Sequence, residues 1–340
     1  MTGRKIRLLL DSGSERLVRR VSELPEAGEF ELLTYIGEGP AGLSRLIGKA
    51  DAAYVYQDPL TATDIARASS LRFIQKHGLN CKNIDLAAAA ARGIPVATVP
   101  LLRNVAVAEH AFALMIACAH RLIQGHVAVA TGSYRALGLT PSRTAQRDYK
   151  PNWAKISGIM ELMDASVGII GLGDIGMELA RRCRAFGMRV LYHQRTRHDP
   201  AVERDYDATW LPLPELLRTV DYLVLVLPHT PQTQDMIGAP ELALMKPTAS
   251  LINVARGGVV DEPALIEALR EGRIAMAGLD VFRDEPLPWD SELTRLPNVV
   301  LTPHMGGGSY RSHDVDHRAG IENIRRFFRG ERPGGLVNSV

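Results

Sequence analysis

The sequence has few cysteines, almost no excess of charge and no long apolar run. Its three cysteines, Cys81, Cys118 and Cys183, form no C-x-x-C pair and stand near no histidine at metal-ligand spacing. No metal site is expected, and the thiols read as small buried apolar groups in a reducing compartment. Lys and Arg number 40 against 38 Asp and Glu, a net charge of +2, which argues against a nucleic-acid surface. No apolar stretch approaches the roughly 20 residues of a membrane span. The run from Ile6, interrupted by Arg7, is too short for a signal peptide. The expectation is a soluble cytoplasmic protein with neither a nucleic-acid nor a membrane partner. What is present suits a globular chain: 46% hydrophobic and 23% charged residues, enough for a sizeable core. A length of 340 residues suits two domains.

Short aliphatic runs recur at Ile6–Leu10, Glu31–Ile36, Ala52–Tyr56, Leu71–Gln75 and Pro95–Val99, with helical stretches such as Thr61–Ala68 and Asp85–Arg92 between them. A second series follows at Ser166–Ile170, Arg189–Tyr192, Tyr222–Leu227, Ser250–Val254, Met276–Val281 and Val299–Leu301. Strands alternating with helices predict α/β architecture with parallel sheets covered on both faces. Between the series, Val107–Ile123 is apolar nearly all round, which predicts a helix buried between domains or subunits. From Thr131 to Asp164 the periodicity fails, and so long an excursion predicts a functional or subunit-bridging segment.

Gly171-Leu-Gly173-Asp-Ile-Gly176 follows one apolar run and opens the helical pattern Met177–Phe186, the context that makes a dinucleotide fingerprint specific. Gly171 allows the tight turn, Gly173 the close approach of pyrophosphate, and Gly176 close helix packing. The N–H groups of Asp174 and Ile175 would face the phosphates. About 20 positions on, a site for NAD expects an acidic residue that accepts hydrogen bonds from the ribose. Here the chain reads Tyr192-His-Gln-Arg195-Thr196-Arg197-His198, with no acid. Arg195 and Arg197 offer forked donors to a 2′-phosphate and Thr196 a hydroxyl. NADP(H) is therefore the preferred cofactor and NAD(H) the alternative; a solvated basic loop is the plain reading of the same residues.

Arg256, Glu285 and His304 follow three of the later strands, and open parallel sheets bind ligands at the carboxyl ends of their strands. Reduction of a 2-oxo acid by hydride needs a group for the carboxylate, a group for charge growing on the carbonyl oxygen, and a proton. A permanently charged guanidinium at Arg256 suits the first two. The imidazole of His304 suits the third, with Glu285 accepting from its other ring nitrogen.

The segments Val107-Ala-Glu-His110, Gly171–Gly176, Leu227–Pro231 with Thr233, Asn253–Asp261, Gly278–Pro286 and Thr302–His304 together resemble the D-isomer-specific 2-hydroxyacid dehydrogenases, within them the glyoxylate and hydroxypyruvate reductases. The resemblance spans nearly the whole chain. It implies two doubly wound parallel-sheet domains with a cleft between. A flavodoxin-like substrate domain would be formed by residues 1–102 plus 306–340, and a Rossmann dinucleotide-binding domain by 103–305. It also implies that Asp280 binds the nicotinamide carboxamide, that Pro228, Thr233 and Ala255 line the cofactor channel, and that the helix and excursion after Val107 form a homodimer interface. The implied partner is a small 2-oxo or 2-hydroxy acid, with a D-2-hydroxy acid as the product of reduction.

The sequence departs from that pattern in places. The family holds the substrate carboxylate on a glycine-rich turn, and the matching segment is Gln75–Asp85. There Leu79 and Asn80 are the candidate substrate contacts, Asn80 standing where glycine is usual and Lys82 where an acid is. Asn tolerates left-handed backbone, so the turn is expected to survive, with an added side-chain donor or a narrower pocket. Gly307 replaces a serine or alanine. Trp153 or Tyr149, in the excursion, could reach a neighbouring subunit's site. His110 reads as a hydrogen-bonded structural residue and Glu109 as a brace, while His193, His198, His313 and His317 read as surface groups. His77 reads either as a strand-end residue or as a source of positive potential. Two rival functions stay open. A dehydrogenase of this fold acting on formate or phosphite is disfavoured, because the former carries glutamine at Glu285 and the latter lysine at Leu79. A non-catalytic NAD(P)-binding sensor or corepressor could keep all three site residues.

Overall fold

The computed structural model describes residues 4–11, 15–145, 150–308 and 312–338, without the side chains of residues 16, 17 and 312–314. The chain forms two compact units, Met1–Asn104 with Ser309–Val340, and Val105–Gly308.

The first unit carries five parallel strands, β1 (Ile6–Leu10), β2 (Phe30–Leu33), β3 (Ala52–Val55), β4 (Phe73–His77) and β5 (Val96–Val99), in the order β2-β1-β3-β4-β5. This is the flavodoxin-like winding. Its helices α1 (Glu15–Ser22), α2 (Gly39–Leu46), α3 (Ala62–Arg67) and α4 (Leu86–Ala91) connect the strands. Strands β3 to β5 are buried at every position, as expected for a sheet covered on both faces. The expected strand at 71–75 lies two residues later, because pairing with β3 and β5 carries the ladder through His77 opposite Val99.

The second unit holds seven parallel strands: β6 (Ser166–Ile170), β7 (Arg189–His193), β8 (Ala208–Trp210), β9 (Tyr222–Leu225), β10 (Ser250–Asn253), β11 (Met276–Leu279) and β12 (Val299–Leu301). Their order, β12-β11-β10-β9-β6-β7-β8, is the dinucleotide-binding winding with one strand added at an edge. The order reverses between β6 and β9, so the turns after those strands flank the switch point. The three-residue β8 is too short to show a period and was not expected from the sequence.

Its helices are α5 (Leu102–Ala119), α6 (Leu122–Thr131), α7 (Asp174–Ala185), α8 (Pro200–Tyr206), α9 (Leu213–Thr219), α10 (Ala239–Leu242) and α11 (Glu262–Arg270). The single apolar helix expected from Val107 to Ile123 is thus two, broken where Arg121 takes a left-handed φ of 53°. By length and composition alone α5 could cross a membrane. Instead Ala108, Ala111, Leu114, Met115 and Cys118 pack in one core with Val167, Ile169 and Leu179. Helix α6 differs: Leu122, Ile123, Val127 and Val129 are 45–56% exposed. Glu109 braces α5 against α7 through Arg182, at 2.9 Å.

Helix α12 (Ser312–Phe328) packs on β4 and β5 of the first unit. Here His317 departs from expectation, while His77 is the strand-end residue it was read as, the last of β4. His317 is buried, not at the surface; its Nδ1 lies 3.1 Å from Tyr56 Oη and its ring stacks on His77. His77 is buried too, 3.0 Å from Tyr54 Oη. Burial of helix and sheet faces against each other decides both. Cys118 and Cys183 are buried, and burial pushes each thiol up to about 12; Cys81 is half-buried. Tyr149 and the side chain of His313 lie outside the described residues.

Candidate active site

Strands β10, β11 and β12 are neighbours with Asn253 opposite Leu279 and Leu279 opposite Leu301. The loops leaving them therefore begin at one level of one sheet edge. Arg256 comes three residues after β10, Glu285 six after β11 and His304 three after β12. The loops are stitched together at the backbone. Asp280 N–H donates to Asn253 O at 3.0 Å, and His304 N–H to Asp280 O at 2.8 Å. Gly257 lies so close to the Glu285 loop that a Cβ there would stand 1.8 Å from Phe282 O. Only glycine permits that approach.

His304 Nδ1 lies 2.6 Å from Glu285 Oε2. Phe282 N–H donates to Glu285 Oε1 at 3.1 Å and fixes the carboxylate. An imidazole held this way donates Nδ1–H and leaves Nε2 for an outside partner. His304 sits at φ 52°, where an L residue costs about 1 kcal/mol or more. The buried Asp280 carboxylate holds the turn in that shape. Its Oδ1 accepts from Thr302 Oγ1 at 2.6 Å and Met305 N–H at 2.9 Å, and its Oδ2 accepts from Gly306 N–H at 2.9 Å. Burial pushes its pKa up, but bonds from His110, Thr302, Met305 and Gly306 outweigh burial and hold it down at about 2. Arg256 is exposed, its Nη1–H folded onto Ala255 O at 2.6 Å. The buried Asn253 clamps that turn, donating to Arg256 O at 3.1 Å and accepting from Ala255 N–H at 3.0 Å.

At the switch point, Gly171 has φ 97°, and a Cβ on Gly176 would meet Gly171 O at 2.3 Å. A Cβ on Gly173 would meet no protein atom within 4 Å. The turn is thus tight where helix meets strand and open where pyrophosphate would approach, beside the first N–H groups of α7. The residues present fit a nicotinamide dinucleotide.

The family model for the D-isomer specific 2-hydroxyacid dehydrogenase NAD-binding domain matches residues 112–306. The chain belongs to this dehydrogenase family. It is 42% identical over 271 residues to glyoxylate reductase of Pyrococcus furiosus, covering 80% of this chain and 77% of that protein. It is 36% identical over 327 residues to glyoxylate reductase of Korarchaeum cryptofilum, covering 93% and 94%. Among solved structures it is similar to the NADPH-dependent glyoxylate/hydroxypyruvate reductase of Sinorhizobium meliloti, with TM-score 0.60, 28% identity and coverage of 98% and 97%.

Other residues of this 2-hydroxyacid dehydrogenase fall as follows. Pro228 and Thr233 share the turn after β9, where Thr233 Oγ1 donates to Pro228 O at 2.8 Å. Ala255 is buried within the Arg256 turn. Arg195 and Thr196 are exposed after β7. Arg197, expected to be open to a phosphate, is instead forked onto Glu203 at 2.8 and 2.7 Å. Arg197 and Tyr192 hold the Glu203 pKa down at about 2. So a carboxylate does stand near this loop, delivered by α8. The signal for it was an acid six residues on, in the helix that follows the loop. His193 and His198 are half-buried, not surface groups: the first bonds Leu211 O at 2.9 Å, and the second ties the basic loop to Leu172 O of the glycine turn at 2.7 Å.

In the first unit, Gly78, not Asn80, takes the left-handed backbone, with φ 91°. Asn80 Oδ1 accepts from Lys82 N–H at 3.0 Å, and Leu79 is 46% exposed. Asn80 thus serves its own turn with its oxygen, a local closure that such residues favour. A Cβ at Gly307 would make only an ordinary contact with Val107, at 3.6 Å. Trp153 packs edge-on against Tyr134.

Because the Asp280 pKa lies below its ordinary 3.8, its contribution to stability is present above pH 3.8 and lost as pH falls through about 2. By linkage the loss is about 2 kcal/mol. Urea midpoints measured from pH 5 to pH 2 should fall more steeply for the native protein than for Asp280→Asn.

Proposed function

We propose that this dehydrogenase is an NADPH-preferring reductase of small 2-oxo acids of the glyoxylate and hydroxypyruvate kind, yielding D-2-hydroxy acids. The observation that carries the proposal is the His304–Glu285 pair at 2.6 Å, on the strand edge that also bears Arg256. The Gly171–Gly176 turn and the N–H groups of Asp174 and Ile175 would hold the dinucleotide, which when bound would supply hydride to the carbonyl carbon. Pro228, Thr233 and Ala255 would line its channel. Arg256 swings from Ala255 O to grip the carboxylate and polarise the ketone. The imidazolium of His304 gives the proton on Nε2 to the carbonyl oxygen, while Nδ1–H stays with Glu285. Leu79 and Asn80 keep their proposed part as substrate contacts.

The NADPH preference rests on Arg195, which is exposed and makes no hydrogen bond or ion pair among the described residues. Glu203 neutralises Arg197, so a 2′-phosphate would have to compete with it. The relative from Sinorhizobium meliloti, described as NADPH-dependent, supports the same preference.

Steady-state kinetics over glyoxylate, hydroxypyruvate, pyruvate and bulkier aryl or branched 2-oxo acids test the assignment. Turnover should be greatest on the small acids, with kcat/KM favouring NADPH. Arg195→Ala should cost NADPH about tenfold or more, the worth of a charged hydrogen bond, and leave NADH little changed; Glu203→Gln should raise the preference for NADPH. A kcat/KM favouring NADH would overturn the cofactor assignment. Tight NADPH binding without turnover on any acid would favour a sensor.

His304→Ala should lower kcat by at least about 100-fold, the usual worth of general acid catalysis, with NADPH affinity retained.

The exposed apolar face of α6, with Trp153, Ile159, Met160 and Met163 also exposed, supports a homodimer formed through the second unit, since such patches mark association sites. Light scattering should give twice the chain mass, and Val129→Glu should lower it. A monomeric native protein at micromolar concentration would remove the dimer.

A further inference from the structure

His110, on α5, lies beneath the turn that carries His304. Its Nε2 is 2.9 Å from Thr302 Oγ1 and 3.1 Å from Asp280 Oδ1. The Thr302 hydroxyl spends its one hydrogen on the same Asp280 oxygen, at 2.6 Å. Its lone pair therefore faces His110, and the network assigns a hydrogen to Nε2, shared between the two oxygens. The ring also touches the turn directly: a Cβ at Gly306 would stand 3.3 Å from His110 Cδ2 and 3.1 Å from Asp280 Oδ2.

Thr302 Oγ1–H and Met305 N–H fill the two acceptor positions of Asp280 Oδ1, and the shared imidazole N–H adds a third contact to the same oxygen. Gly306 N–H occupies one of the two acceptor positions of Oδ2. This leaves a single lone pair on Oδ2 for a carboxamide. Most of the carboxylate is thus committed to residues 302–306, where His304 is held at a positive φ. Losing the His110 donor would let the carboxylate turn about its Cβ–Cγ bond and slacken its grip on Met305 and Gly306. Among the described residues none of these hydrogen bonds involves Gly171–Gly176.

We propose that His110 is a positioning residue for the proton donor: through Asp280 and Thr302 it fixes the backbone that aims His304 at the carbonyl oxygen. The inference rests on the reading of His304 as that donor. Misplacement of a catalytic group by an ångström costs on the order of 100-fold in rate, so a residue three contacts away can govern kcat without touching substrate.

The test uses the full chain, NADPH and glyoxylate, with four variants beside the native protein. His110→Leu, which keeps bulk and loses the donor, should lower kcat about tenfold or more. The dissociation constant for NADPH, read by fluorescence titration, should stay within about threefold, and the isotope effect from 4-deuterated NADPH should rise as chemistry becomes rate-limiting. His110→Gln places an amide N–H near the position of Nε2 and should recover most of kcat; His110→Asn, which stops short, should not. Native kcat in His110→Leu, a loss that merely follows cofactor affinity, or Gln no better than Asn would each overturn the proposal. Should the Leu variant fail to fold, the Gln–Asn comparison decides alone. His304→Ala is run alongside. Turnover retained there defeats the proton-donor reading itself, whereas a dead His304→Ala with a native-like His110→Leu defeats only the positioning role.

Discussion

One buried carboxylate organises the candidate active site. Asp280 leaves β11 with its N–H on Asn253, at the end of β10, and its carbonyl on His304, just past β12. Its side chain takes up the hydroxyl of Thr302 and the N–H groups of Met305 and Gly306. Three strand ends are thereby fastened at one residue. An ionised carboxylate at 2% exposure is tolerable only when hydrogen-bonded on this scale. The bonds that keep it charged are the ones that shape the turn. The left-handed backbone of His304 is the cost of directing an imidazole from that turn, and the Asp280 contacts offset it.

The same economy governs the cofactor end. His198 fastens the basic loop to the carbonyl of Leu172 in the glycine turn, and Tyr192 and Arg197 converge on Glu203. The loop that would meet the adenosine ribose is therefore a built structure with one guanidinium neutralised and another in solvent. Discrimination between phosphorylated and plain ribose then depends on a balance of charges. A carboxylate already satisfied by arginine neither welcomes a ribose hydroxyl strongly nor repels a phosphate fully. Helix α6 presents the opposite problem, apolar side chains without polar cover. Its composition is that of a core helix, while the break at Arg121 turns it outward from the packing that buries α5.

The parallel α/β architecture was legible in the sequence because its evidence is local. Strands buried on both faces read as aliphatic runs, and the runs at Ile6–Leu10, Ser166–Ile170 and Val299–Leu301 match the observed strands residue for residue. The glycine fingerprint was equally plain, since a tight turn and a close helix each demand a missing side chain at a fixed offset. Arg256, Glu285 and His304 were singled out because ligand sites follow strand ends in this architecture, and all three do follow neighbouring strands. The β8 strand escaped because three residues carry no period, and the break after α5 because an arginine in left-handed backbone has no sequence signature.

Residue chemistry and spacing by themselves determined the fold class, the dinucleotide turn and the choice of an arginine, a carboxylate and an imidazole as candidate groups. Tertiary structure alone decided which charges cancel and which polar groups are buried. It tied His198 to the carbonyl of Leu172, buried His317 against His77, and put His110 under Asp280. The reason is that backbone preference and hydrophobic periodicity act over a few residues. A hydrogen bond between positions 26 or 192 apart exists only once sheet order has brought them within 3 Å, and no neighbour in sequence records that order.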